Sequence, residues 1–327
     1  MVILEKRNFK LKILNDSANS IEIASRLILE GDSVAVMAET VYGLAVDASN
    51  KSAIKKLYSL KKRPKKNPLI IHVESINMAL KFGKENNDFL ILATTFWPGP
   101  LTIILPQKEN CSISKLATAG LNSVALRMPK SEVFLRLIKK VGKPLAAPSA
   151  NISGYISATD SRHVKECFSK KIKLILDSGR CEYGLESTII NLTKKPYIIE
   201  RMGVISEEEI LKKTKIITIE KNHKKMQIVS PGQLSKHYSP KKPLRLNAKS
   251  PKVDESFLAF GSNFENSKYC LNLSKKSNLK EAAYNLFYYL RKLDNLEKKK
   301  IAVFPIPMKG LGKTINERLR RASSNES

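Results

Sequence analysis

The chain has 327 residues, with 58 Lys and Arg against 30 Asp and Glu, a formal net charge of +28, and is 42% hydrophobic and 27% charged. That length predicts two domains with a sizeable core, and no apolar run approaches the ~18 residues a membrane span needs. The opening MVILEKRNFK lacks the apolar middle of a secretion signal. Four scattered cysteines, Cys111, Cys167, Cys181 and Cys270, form no CxxC pair, which speaks against a structural zinc or a disulfide scaffold. The expectation is a cytoplasmic enzyme with no membrane partner. The basic excess runs through both parts, +17 over residues 1–240 and +11 over 241–327. It suits nucleic acid or anionic substrates. A compositional drift toward Lys that leaves a solvated surface is the better reading, because no aromatic-interleaved RNA motif accompanies it.

Residues 1–220 read as alternating strands and helices. SVAVMA (33–38) is a short buried strand, and SAIKKLYSLKK (52–62) a helix with Ile54, Leu57 and Tyr58 on one face. NPLIIHV (67–73), LTIILPQ (101–107), VALRMP (124–129), KLILDS (173–178), STIINL (187–192) and YIIER (197–201) read as strands, and SEVFLRLIKKV (131–141) as an amphipathic helix. Ser206 and Glu209 have capping-box spacing ahead of EEEILKKT. Residues 221–243 are polar, basic and proline-bearing, a linker or lid that contains HYSP. In 244–327, SFLAFGS, YCLNL and IAVFPIP read as strands, LKEAAYNLFYYLRKL and KTINERLRRAS as helices. The expected fold is α/β, a twisted open mixed sheet with helical cover, plus a small C-terminal α/β Rossmann-like domain.

Several segments invite chemistry. PIPMKGLGKT (305–314) imitates a phosphate-binding loop, but Pro307 stands where the pattern needs its first glycine and removes an N–H from the cradle; a helix-capping turn is the better reading. KKRPKKNP (61–68) gathers charge-assisted donors before a strand, with Arg63 able to grip phosphate bidentately. APSANISG (147–154) is a tight polar turn at a strand end, where open α/β sheets bind ligands, and ESTI (186–189) repeats that theme. FWPGPLT (96–102) reads as packing around the single tryptophan. His72, mid-strand, reads on its own as a core histidine. No G-x-S-x-G, HExxH or dinucleotide fingerprint occurs.

Taken in order, AETVYGLAVDA, LKKRPKKNPLIIHV, FWPGPLT, VALRMP, PLAAPSANISG, ILDSGRCEYGLESTII and IERMG resemble the YrdC family. SPGQLSKHYSP and GLGKTINERLRRA resemble its two-domain form, whose members make L-threonylcarbamoyladenylate. The resemblance runs from about residue 15 to 322, and it implies joining of L-threonine, bicarbonate and ATP with release of pyrophosphate. By motif it implies that Thr40, His72, Arg127, Ser149 and Ser187 contact threonine. It implies that Lys61, Arg63, Asn67, Ser123, Asn151, Thr159, Arg201 and Tyr238 contact ATP. Mg2+ would accompany the nucleotide with no ligand assigned on the protein. The product would serve tRNA modification next to the anticodon through downstream threonylcarbamoyltransferase proteins, with direct tRNA binding left open. Met37, Ala38, Ala45 and Met202 depart from the family's usual residues at supporting positions. Two other readings are carbamoyl adenylation, as in hydrogenase-maturation relatives of the fold, and an RNA-binding module.

Overall fold

The computed structural model describes residues 10–220 and 237–323; most of the expected linker therefore lies outside the described residues. The first part runs β1 (Lys12–Leu14), α1 (Ala18–Leu29), β2 (Val34–Val36), β3 (Gly43–Asp47), α2 (Lys51–Lys61), β4 (Ile70–His72), α3 (Ile76–Ala79), α4 (Asn87–Phe96), β5 (Leu101–Pro106) and β6 (Ser123–Arg127). It continues with α5 (Glu132–Val141), β7 (Leu145–Ala146), α6 (Ser161–Phe168), β8 (Leu174–Leu176), β9 (Thr188–Asn191), β10 (Tyr197–Arg201), α7 (Glu207–Thr214) and β11 (Thr218–Glu220). These strands form one mixed sheet in the order β1-β8-β2-β3-β7-β4-β6-β5-β9-β10-β11. The second part holds β12 (Leu244–Arg245), β13 (Glu255–Ala259), β14 (Cys270–Asn272), α8 (Leu279–Asp294), β15 (Lys300–Val303) and α9 (Leu311–Ser323). Its four strands pair in parallel in the order β12-β15-β13-β14.

Local signals place the helix ends. Ser17, Asn50 and Ser206 each accept a backbone N–H three residues on, as N-caps do. Only half of the expected capping box forms, because Glu209 turns to Lys213 at 2.9 Å instead. The sheet's alternation decides the rest. Ile71, Val124, Leu126, Ile103 and Ile190 point into the main core, while their neighbours Ile70, His72, Ala125, Arg127, Ile104 and Ile189 point to the opposite face. On that opposite face α1 and α5 cover the β8-β2-β3-β7 half, α5 burying Val133, Phe134, Leu137, Ile138 and Val141. Each such side chain contributes about 1.5–3 kcal/mol of burial. No helix of the first part shares in the small Ile70–Ile104–Ala125–Ile189 cluster over β4, β6, β5 and β9. The cavity lies where the two halves meet, with Phe134 and Ala147 on one side and Ile70 and Arg127 on the other.

Helices α1, α4 and α6 and strand β3 go beyond the sequence expectation. In NDFLILATTF the apolar residues run together without a polar face, and GLAVD is too short for alternation to show. The PIPMKGLGKT segment is a turn into α9. Lys313 Nζ donates to Glu208 at 2.7 Å and Thr314 Oγ1 to the Gly203 carbonyl at 3.0 Å, so both side chains tie the two parts together. Among the described residues no helix is long and apolar enough to cross a membrane.

Candidate active site

Two loops at the sheet's centre are zipped together. Gly43 bridges Ser149, the Leu44 N–H donates to the Pro148 carbonyl at 2.8 Å, and the Ala150 N–H to the Tyr42 carbonyl at 2.7 Å. Lys61, at the end of α2, directs its ammonium to the carbonyls of Ser149 and Asn151. The AETVYG and PSAN motifs thereby become one wall. Arg63 is held by its own loop: Nε donates to the Asn67 carbonyl at 3.1 Å, Nη2 to Asn67 Oδ1 and to the Pro68 carbonyl, each at 2.7 Å.

Arg127, at the end of β6, donates from Nε to the Gly99 carbonyl at 3.1 Å, from Nη1 to Thr40 Oγ1 at 3.0 Å and from Nη2 to Glu39. The FWPGPLT turn is thus more than packing, since it supplies the carbonyl that aims this guanidinium. On the other side, Arg201 donates from Nη2 to the Ser187 carbonyl at 2.8 Å and to its Oγ at 3.0 Å, and Ser187 Oγ lies 2.8 Å from Thr102 Oγ1. Arg201 reaches this face through a β-bulge. Ile199 pairs with Ile190, yet Arg201 pairs with Ile189. The extra residue inverts the alternation that would send Arg201 into the core beside Ile199. Gly203 lets the chain turn tightly there: a Cβ at this position would sit 2.2 Å from the Thr188 nitrogen and 2.4 Å from the Ser187 carbonyl carbon.

These walls enclose a cavity of about 50 Å³, lined as well by Ile70, by Phe134 stacked on His72 at 4.8 Å, and by His237. Thr40, Arg63, His72, Arg127, Ser149, Ser187 and Arg201 line it. The other six expected contacts do not. Lys61 is taken up by loop carbonyls. Asn67 holds Arg63, and Asn151 Nδ2 holds the carbonyls of Ile152 and Tyr155 at 2.8 Å. Thr159 is fully buried, its N–H on His163 Nδ1. Ser123 lies on the cavity-facing side of β6 but at its opposite end, beyond Ala125. Tyr238 is packed behind His237, stacked on Phe287 at 5.4 Å. Yet Asn67 Nδ2, His72 Nδ1, Asn151 Oδ1, Thr159 Oγ1, His237 Nδ1 and Tyr238 Oη are all buried with no hydrogen-bond partner. Such orphaned atoms are rare in folded proteins, and those of His72 and His237 belong to residues that line the cavity, where a polar ligand group could meet them.

The electrostatics are one-sided. Burial brings the Arg63 guanidinium down to about 10 and lowers Arg201 as well. Burial first, then Arg127, holds His72 well below the usual imidazole range, and burial with Arg63, Arg318 and Arg201 does the same to His237. Both histidines are neutral hydrogen-bonding groups. Glu186 also lines the cavity, a residue of the ESTI motif to which the sequence attached no role. Its Oε2 accepts from Arg318 Nε at 3.0 Å. Three guanidiniums, hydroxyls and two neutral imidazoles make a wall suited to carboxylate and phosphate.

The model of the Sua5/YciO/YrdC family, described as telomere recombination, matches residues 26–203, and that of the threonylcarbamoyl-AMP synthase C-terminal domain matches residues 203–324. A threonylcarbamoyl-AMP synthase of Pyrococcus abyssi is 37% identical over 322 residues, covering 93% of this chain and 94% of that one. The chain belongs to the Sua5/YrdC family of threonylcarbamoyl-AMP synthases. A Bacillus subtilis synthase of the family is 33% identical over 92% of both chains. The crystal structure of Pyrococcus abyssi Sua5 complexed with L-threonine superposes with a TM-score of 0.88 at 35% identity, over 96% of this chain and 98% of that one. Escherichia coli YciO, at 18% identity and a TM-score of 0.55, shares the fold of the first part. Nucleotide-bound HypF, at 18% identity and covering 56% of this chain, likewise shows the fold alone.

Proposed function

We propose that this chain condenses L-threonine, bicarbonate and ATP into L-threonylcarbamoyladenylate, releasing pyrophosphate. The observation that carries this reading is a single cavity joining Arg63, Arg127 and Arg201 to Thr40, Ser149 and Ser187, in a chain that matches threonine-bound Sua5 over nearly its whole length. In this reading Arg127 pairs with the threonine carboxylate, its angle set by Gly99, Thr40 and Glu39. Thr40, Ser149, Ser187 and neutral His72 meet the amino acid's remaining polar groups. Arg63 and Arg201 face the nucleotide. Lys61 and Asn67 hold the wall from behind, and Asn151, Thr159, Tyr238 and Ser123 reach nucleotide only after local rearrangement. His237 stands in the same wall as these groups. Residues 1–220 then form the catalytic unit, 221–243 the lid and 244–327 its support.

The chemistry follows from the charges. Three nearby guanidiniums disfavour the threonine ammonium, so the bound amine is more readily free to attack carbon dioxide derived from bicarbonate. A carbamate oxygen then attacks the α-phosphorus, the bond to the bridging oxygen breaks, and pyrophosphate leaves. Such a displacement needs alignment and charge stabilisation, with no protein nucleophile. The wall fits magnesium as the nucleotide's own counter-ion, because Glu186 is engaged by Arg318 and by Ser157 Oγ at 2.5 Å. When bound, the ion would neutralise the departing phosphates. The product would pass, in the cytoplasm, to the proteins that place threonylcarbamoyl on adenosine of tRNA.

Pyrophosphate release from ATP by the purified chain tests this. Release that requires both threonine and bicarbonate supports it. Release driven by carbamoyl phosphate would replace it with carbamoyl adenylation, and absence of release with ATP and threonine both bound would refute turnover.

A further inference from the structure

A buried side chain of the second part reaches the cavity wall. Arg318 of α9 is 1% exposed. Its Nε donates to Glu186 Oε2 at 3.0 Å, Nη2 to the Met202 carbonyl at 2.7 Å and Nη1 to Glu317. Its guanidinium carbon lies 4.8 Å from the centre of the Tyr238 ring, which also stacks on Phe287 of α8. Glu186 immediately precedes Ser187 and forms part of the cavity wall. A carboxylate in a wall that faces phosphate would repel it. This one is neutralised from 132 positions away in the chain.

We propose that Arg318 is a positioning residue for the nucleotide: it cancels the Glu186 charge so that this carboxylate neither faces the phosphates unpaired nor offsets the guanidiniums of the wall. The inference rests on the adenylate-forming reading and adds to it a role for the C-terminal unit. The groups around Glu186 are few. Arg318 and Glu317 approach from α9, Arg201 from β10, Tyr238 and His237 from the segment after the linker, and Ser157 from the loop before α6. Arg201 is committed to Ser187, and Glu317 is shared with Arg318 and Arg321. Burial by itself raises Glu186. Arg318 and Arg201, with the Ser157 and Arg318 hydrogen bonds, outweigh burial and hold it below the usual carboxylate range. Without Arg318, burial dominates, and Glu186 titrates higher while facing the nucleotide without its counter-charge.

The test is ATP binding by calorimetry, between about pH 6 and 9, on the full chain and on R318M, R318K and the double variant R318M/E186Q. R318M should bind ATP about tenfold more weakly at the alkaline end and recover toward acid, since only the ionised carboxylate repels phosphate. R318K should keep the native pH profile with intermediate affinity. The double variant should return to within about threefold of native affinity and lose the pH dependence. An unchanged affinity in R318M, or an equal and pH-independent loss in R318M and R318M/E186Q, would overturn the proposal and leave Arg318 a purely structural residue. Should R318M fail to fold, the double variant still decides, because its neutral pair binds ATP well only if charge balance is what Arg318 supplies. A native chain that binds no ATP would overturn the adenylate-forming reading itself, and this inference with it.

Discussion

Replacing Gly203 by alanine tests how tightly the two halves of the proposed site are coupled. The added Cβ would lie 2.2 Å from the Thr188 nitrogen, 2.4 Å from the Ser187 carbonyl carbon and 2.6 Å from the Glu186 oxygen. All three are backbone atoms, so no rotamer change relieves the clash. Carbon contacts become ordinary near 3.5 Å, so the 186–188 and 201–203 segments must separate by roughly 1 Å. Overpacking of this kind costs about 1–3 kcal/mol. For a chain of this size that lowers the melting midpoint by about 2–4 °C per kcal/mol. The functional loss should be larger than the stability loss. Arg201 holds the Ser187 carbonyl and Oγ at 2.8 and 3.0 Å, and a 1 Å misplacement near reacting groups costs on the order of 100-fold in rate. Pyrophosphate release, assayed well below the midpoint, should fall by about that factor, while circular dichroism stays native. A Gly203→Ala chain with native turnover would refute the claim that this close approach sets the wall's geometry.

Three other outcomes follow from the same contacts. Arg127→Met leaves Glu39 buried beside an empty position; unpairing such a group costs about 3–5 kcal/mol, and threonine binding measured by calorimetry should vanish while the chain remains folded in the cold. Tyr238→Ala removes the ring that contacts Phe287 and Arg318; it should cost about 3–5 kcal/mol and should weaken nucleotide binding. His163 is buried, and burial first, then Arg291, brings its pKa down to about 3. The unfolded chain therefore takes up that proton first, so stability is full above about pH 6.5 and falls with acid, by about 2 kcal/mol at pH 5 from this residue. Urea midpoints measured from neutral to that pH should drop, and His163→Gln should flatten the slope; equal slopes would show that other groups carry the acid sensitivity.

The sequence by itself determined much of the scaffold and most of the cavity wall. Short apolar runs such as LTIILP and VALR encode strands because alternate residues must be buried on a sheet, and α5 shows its buried face in plain helical spacing. The seven expected residues found in the cavity lining all sit in the quoted motifs, among glycines, prolines and small hydroxyls that favour turns. Legibility ended where contacts are long-range. His72 reads as a core residue along the strand, and only the tertiary packing that stacks it on Phe134 of α5 beside Arg127 and Ser149 makes it cavity wall. Arg201 alternates with buried Ile199 in sequence, and a single bulge, invisible in YIIER, turns it to the other face. Lys61 and Asn67 carry the right chemistry for phosphate but spend it on neighbouring backbone and on Arg63. Glu186 and Arg318 meet across the two parts of the chain, a pairing no local pattern encodes. Periodicity and turn chemistry are written in neighbouring residues, whereas charge balance in a cavity is a sum over side chains that only tertiary packing brings within reach of one another.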